Sequence, residues 1–133
     1  MPGHADPDSR RVMPAAGTWS ALARGVHENV AKAAQLRRCA PELRRGSYRL
    51  LFADREHWVF SRDLAENSAL VFVSREPAVV APFEVALPGV QEGTYIDTET
   101  SENLDVRQSL TKLPSASLAV RVFLPREHPC LSR

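Results

Sequence analysis

The stretch SYRLLFADREHWVFSR, Ser47 to Arg62, follows Gly46 and marks the point where apolar residues stop recurring every three or four positions and begin to alternate. Its halves, Ser47 to Ala53 and His57 to Arg62, are rich in aromatic and aliphatic residues. The short polar segment Asp54-Arg55-Glu56 separates them, which predicts a β-hairpin. Downstream, ALVFV from Ala69 to Val73 is apolar without a break, as expected of a strand covered on both faces. Further strands are predicted at Ala78 to Leu87, Gly93 to Thr98, Asn103 to Gln108 and Ser117 to Leu124, the last with Leu118, Val120, Val122 and Leu124 on one face. Short strands at this spacing, with Pro and Gly between them, predict a mainly β fold: an antiparallel β-sandwich of about seven strands.

Before the hairpin the pattern is helical. Trp19, Leu22, Val26, Val30, Ala33 and Leu36 lie three or four residues apart, opposite Arg24, Glu28, Lys32 and Gln35. Thr18 is placed to cap this amphipathic helix, Glu28 and Lys32 to pair four residues apart, and Arg37 and Arg38 to meet the negative end of the helix dipole. Pro41 ends the run. In front of the helix stands an extended leader that contains GHADPDSRRVMP, Gly3 to Pro14.

The 133 residues suit one folded core, and 44% hydrophobic with 25% charged residues is an ordinary globular composition. A net charge of +1 supplies no field that would draw the chain to nucleic acid or an anionic membrane, so neither is expected as a partner. No apolar run approaches the length of a membrane span, and the N-terminus lacks the basic-then-apolar plan of a signal peptide. Cys39 and Cys130 have no Cys-x-x-Cys partner and no histidine at ligand spacing. They read as two free thiols; a disulfide between them is geometrically open, but nothing else suggests secretion. A cytoplasmic protein is the expectation.

No catalytic motif gathers the sixteen Asp and Glu residues, which read as solvated surface groups. His4, His27, His57 and His128 form no His-x-x-x-His pair, and neither a Gly-x-Ser-x-Gly elbow nor a Gly-rich phosphate loop is present. No metal, cofactor or nucleophilic catalysis is therefore expected. Arg37, Arg38, Arg44 and Arg45 cluster around the helix end and read as a solvated face. Tyr48, Trp58 and Phe60 could stack on sugar rings if one sheet face exposed them together, although aromatics at alternating strand positions usually fill cores.

Two motifs carry a resemblance. DPDSRRVMP, Asp6 to Pro14, resembles the Asp-Pro-Asp-Asn-Arg-Arg-Pro-Met-Pro-Trp segment of the alpha-amylase superfamily, in its neopullulanase, cyclomaltodextrinase and maltogenic amylase branch. QLRRCAPELRRG, Gln35 to Gly46, is similar to that branch's Leu-Arg-Arg-x-x-Pro-Ala-Leu-Arg-x-Gly run, and LLFADREHWVFSRDL and NSALVFVSRE follow in the order of its C-terminal β-domain. The resemblance implies three parts: a leader over 1–17 matching the loop after barrel strand eight, a helix over 18–46 matching the last barrel helix, and a C-terminal β-sandwich over 47–133. It also implies that Asp6 and Arg10 match positions that border the glycone side of the active cleft and hydrogen-bond sugar hydroxyls. Ser9, Val12 and Ala15 depart from the pattern there.

In such enzymes the nucleophilic aspartate, the acid/base glutamate and a third aspartate come from barrel strands four, five and seven, all of which would lie upstream of Met1. Retaining hydrolysis needs two carboxylates held about 5 Å apart. The resemblance therefore implies a chain without catalytic residues, not an enzyme on its own: a truncated, non-catalytic C-terminal piece of a hydrolase of α-glucan or cyclodextrin metabolism. The helix stripe then needs a cover, since burying Trp19, Leu22, Val26, Val30 and Leu36 is worth roughly 8–15 kcal/mol. The expected covers are the sandwich itself, a second copy, or a catalytic barrel supplied in trans, each meeting the face of Trp19, Leu22, Val26 and Val30. The alternative is a stand-alone α-glucan-binding module, with Trp58 as its stacking residue.

Overall fold

In the computed structural model, which describes residues 15–77, 82–113 and 118–131, the expected hairpin is formed by β1 (Ser47–Ala53) and β2 (His57–Leu64). Asp54 shapes its turn: Oδ1 accepts the backbone N–H of Glu56 at 2.8 Å and of His57 at 2.6 Å, the short-range bonding that suits Asp to turns. Leu50 pairs with Phe60 and Ala53 with Trp58, and a bulge interrupts the ladder between Leu50 and Phe52. β3 (Asn67–Ser74) extends the sheet in full register with β2. β8 (Ala119–Pro125), β5 (Gly93–Asp97) and β6 (Asn103–Val106) complete a six-stranded antiparallel sheet in the order β1-β2-β3-β8-β5-β6. A second sheet of β4 (Phe83–Ala86) and β7 (Leu110–Leu113) supplies the other layer.

Alternation along the strands sends one set of side chains into the space served by both sheets. Val59, Leu70, Phe72, Tyr95, Leu104, Val106 and Phe123 of the large sheet meet Val85 and Leu113 of the small one, with Leu87 and Val90 closing the cluster. β3 is covered on both faces as its unbroken apolar run predicts, because Leu70 and Phe72 enter this core while Ala69 belongs to a second cluster on the opposite side. The face shared by Leu118, Val120, Val122 and Leu124 looks away from the main core. Leu124 is sealed in the second cluster, Leu118 and Val120 are exposed, and it is Phe123 that enters the interior.

Two carboxylates, Asp97 buried and Asp63 half-buried, anchor polar networks in the large sheet. Asp97, 1% exposed, receives Nε of Arg121 at 2.6 Å and the backbone N–H groups of Glu99 and Thr100. Arg121 also reaches Glu102, and although burial lowers its pKa, the bonds to Glu102 and Asp97 raise it further. Asp63 receives Nε of Arg49 at 3.0 Å, Ser61 at 2.9 Å and Ser68 at 2.7 Å. Arg49 then donates to the carbonyls of Pro88 and Gly89. Gly89 is needed there: its φ is +71°, and a Cβ would lie 2.5 Å from Nη1 of Arg49.

Several expectations are corrected. Cys39 and Cys130 are not free thiols but form a disulfide across 91 residues of sequence, with Cα atoms 5.9 Å apart. Helix α1 spans Ala21–Cys39, after a 3-10 turn at Ala16–Thr18, so Thr18 lies in that turn and donates back to the carbonyl of Ala15; Ser20 caps α1, its Oγ accepting the N–H of Ala23 at 3.2 Å. Pro41 does not end helicity altogether, because a one-turn helix α2 (Glu42–Arg45) follows it. β7 was not among the predicted strands, and of the segment Ala78 to Leu87 only Phe83–Ala86 is a strand, residues 78–81 lying outside the described ones.

By compactness the chain divides into two units, Met1–Gln35 and Leu36–Arg133. Within the first, the Trp19 and His27 rings lie 4.9 Å apart, and three residues of the apolar stripe, Leu22, Val26 and Val30, are 79%, 55% and 63% exposed. Among the described residues no helix is long and apolar enough to cross a membrane.

Candidate functional site

Tyr48, Trp58 and Phe60 lie together on the outer face of the β1–β2 hairpin. The register explains why. Phe60 stands opposite Leu50, one step diagonal from Tyr48, and Trp58 lies two residues along the same face of β2. The Phe60 centroid is 5.2 Å from that of Tyr48 and 5.1 Å from that of Trp58, and Tyr48 and Trp58 meet edge-on at 6.4 Å. Nε1 of Trp58 donates to the Tyr48 hydroxyl at 3.1 Å, which fixes the two rings relative to each other. Phe60 is the half-buried floor, while Tyr48 and Trp58 remain 49% and 45% exposed. Leu50, Val73 and Val120 continue the surface across the sheet.

The periodicity of the sequence placed these rings on one face, and the structure shows that it is an open face. Arg62 was missed. It pairs directly across the ladder from Tyr48, and its Nε is buried without a hydrogen-bond partner among the described residues. A basic residue two positions beyond Phe60 on an alternating strand is the signal that could have found it.

Beside Trp58 a shallow hollow of about 180 Å³ is lined by Asp54, Arg55, Glu56, His57, Trp58, Val73 and Arg75. Asp54 accepts from the His57 ring at 3.1 Å. The slight burial of Asp54 raises its pKa, but the N–H of Glu56 and the ring and N–H of His57 outweigh it and hold the carboxyl below its ordinary value. His57 lies against Phe72 and Phe83, and its Nε2 is buried without a partner among the described residues. The hollow thus mixes charges of both signs around one exposed indole.

A second, wider hollow of about 450 Å³ lies along β5 and β6 and is lined by Glu92, Gly93, Thr94, Asp105, Val106 and Arg107. Its two acids already have local partners. Asp105 accepts from Thr94 Oγ1 at 2.7 Å, and Glu92 accepts the N–H of Gln108 at 2.8 Å. Among the described residues no group of three or more His, Cys, Asp or Glu side chains could hold a metal ion. Asp6 and Arg10, the residues matched to sugar-binding positions, lie outside the described residues.

No family profile matches the chain. A cyclomaltodextrin glucanotransferase from Paenibacillus macerans is 30% identical over 97 residues, which cover 73% of this chain and 13% of that protein. The fold is shared with AmyP, solved in complex with maltotriose, at a TM-score of 0.70 and 15% identity over 82% of this chain and 22% of that one. It is shared equally with an Anoxybacillus alpha-amylase described as a new glycosyl hydrolase subclass, at a TM-score of 0.71 and 20% identity over 95% and 27%. The chain therefore spans only a small part of the length of the proteins it matches. The sequence likeness together with the shared sandwich places it with the C-terminal domains of the alpha-amylase family of glycoside hydrolases.

Proposed function

We propose that the chain is a non-catalytic C-terminal β-domain of an alpha-amylase-type glycoside hydrolase of α-glucan or cyclodextrin metabolism. Its role is to support a catalytic barrel carried on the same polypeptide or on a separate one. The exposed stripe of α1 carries this reading: Leu22, Val26 and Val30 lie in water at the helical spacing of a buried face. Covering the three is worth roughly 1.5–3 kcal/mol each, enough to hold two domains together. On this reading the stripe meets the barrel, and Asp6 and Arg10 border the glycone side of its cleft.

The test is to mix the chain with a separately produced alpha-amylase-family barrel and to assay cyclodextrin, pullulan and starch hydrolysis. The chain alone should release no reducing sugar, the two should co-elute, and Leu22→Asp with Val26→Asp should abolish co-elution. Hydrolysis by the purified chain, or co-elution that survives the double substitution, defeats the proposal. If the stripe instead joins two copies, sedimentation will show a dimer that the same substitutions dissociate.

A second reading is favoured by the joint exposure of Tyr48 and Trp58. A hydrogen-bonded, edge-to-face pair of exposed rings offers aromatic surface on which the C–H face of a sugar can stack. On this reading the sandwich binds α-glucan by itself. Affinity electrophoresis in amylopectin should show retardation that Trp58→Ala removes; unretarded wild-type protein discards the idea.

A further inference from the structure

Cys39 is the last residue of α1, and Cys130 lies in the 3-10 turn Pro129–Leu131 near the other end of the chain. Both residues are partly rather than fully buried. Around that bond the tail covers groups that resist burial. Glu42 of α2 and His128 are 1% and 6% exposed. The N–H of Cys130 donates to His128 Nδ1 at 3.2 Å, and Nε2 of the same ring faces Glu42 Oε1 at 3.3 Å. The other carboxylate oxygen, Oε2, is buried without a partner among the described residues. A carboxyl group with one long contact to an imidazole and one bare oxygen is costly to hide. What favours closure is a small apolar cluster: Ala40, Ala69 and Leu124, with Leu36, Leu43 and Leu131 packed on it. The closed arrangement therefore depends strongly on the covalent link.

We propose that Cys39–Cys130 is a reversible thiol–disulfide modification site whose reactant is a dithiol, and that its redox state decides whether the C-terminal turn covers Glu42 and the apolar patch on β3 and β8. A dithiol thiolate attacks one Sγ, forming a mixed disulfide and expelling the other cysteine sulfur, which takes up a proton. The second thiol of the reagent then closes on the mixed disulfide and expels the remaining cysteine. The protein disulfide gains two electrons and two protons, and the dithiol becomes a cyclic disulfide. Once reduced, the turn is held only by the small cluster, the His128–Glu42 contact and its local backbone bonds, Glu42 regains water, and Ala69 and Leu124 lose their cover. An oxidising compartment keeps the clasp shut, and a reducing one opens it. This inference does not rest on the proposed function, because it uses neither Leu22, Val26 and Val30 nor the aromatic face.

The experiment takes the full chain equilibrated with oxidised glutathione and titrates it with dithiothreitol, following native alkylation, hydrogen exchange and thermal melting. In the oxidised protein neither cysteine should alkylate. On reduction both should, peptides covering 40–46 and 126–131 should exchange at least tenfold faster while Leu70 to Phe72 stay protected, and the melting midpoint should fall by about 10–20 °C. Cys130→Ser should behave like the reduced wild type. If that variant does not fold, reduction of the folded wild type supplies the same comparison. Two thiols that alkylate after the oxidative treatment, or exchange over 126–131 that is unchanged by reduction, would overturn the proposal.

Discussion

The two faces of the six-stranded sheet carry similar apolar side chains and meet opposite fates. On the inner face Val59, Phe72 and Phe123 are each 1% exposed, and the charged residues that stand opposite Phe72 and Phe123 in the ladder, Arg121 and Asp97, are paired with each other. On the outer face Ala69 and Leu124 are sealed beneath the disulfide-linked tail, whereas Leu50, Trp58 and Val120 stand in water. Alternation generates both faces with equal ease. Only the presence of a second layer makes one of them a core, while the end of α1, α2 and the disulfide-linked tail extend partial cover to the other.

That contrast can be broken most forcefully from the inside. Phe123→Ala removes the largest β8 contribution to the core and should cost about 3–5 kcal/mol in urea unfolding, while Val120→Thr, three residues away on the open face, should change stability by less than about 0.5 kcal/mol. Arg121→Ala leaves the Asp97 carboxylate buried without its cation and should cost about 3 kcal/mol; a much smaller loss would mean that the backbone N–H groups of Glu99 and Thr100 satisfy it alone. Acid should act next. Burial raises the pKa of Asp63, but the bonds from Arg49, Ser68 and Ser61 outweigh it and hold the group below its ordinary value. The folded state therefore binds fewer protons than the unfolded one as pH falls. The stabilisation is complete above the ordinary carboxylate range near pH 4 and is lost as pH drops through the lowered value, so an Asp63→Asn variant should show a shallower acid limb in melting curves. The smallest effect should be a gain. Gln108 and Ser109 both have positive φ, 51° and 59°, in the two-residue turn joining β6 and β7, a backbone that favours Asn-Gly. Ser109→Gly should raise stability by about 0.5–1 kcal/mol.

Much of this was readable from residues. The change of period at Gly46 located the hairpin, β1 begins and ends where the alternation does, and the unbroken run in β3 announced cover on both sides. β7 escaped because Leu110–Leu113 is only four residues long and the turn before it contains no Gly, Asn or Pro to advertise itself. α2 escaped because a single turn is too short to show a period. The disulfide escaped because spacing alone does not state which cysteines fold together. The aromatic trio was legible as one face, but whether that face would be inside or outside depended on where the small sheet lies, which no local pattern encodes.

The bulge in β1 has a consequence for self-assembly. β1 is a rim of the large sheet, and rims invite a neighbouring molecule to add a strand. With the ladder shifted between Leu50 and Phe52, an incoming segment cannot match donors to acceptors along the whole rim. Growth into ribbons is thereby blunted at the edge that begins the sandwich, and the chain can keep a broad aromatic surface in water without becoming a template for fibrils.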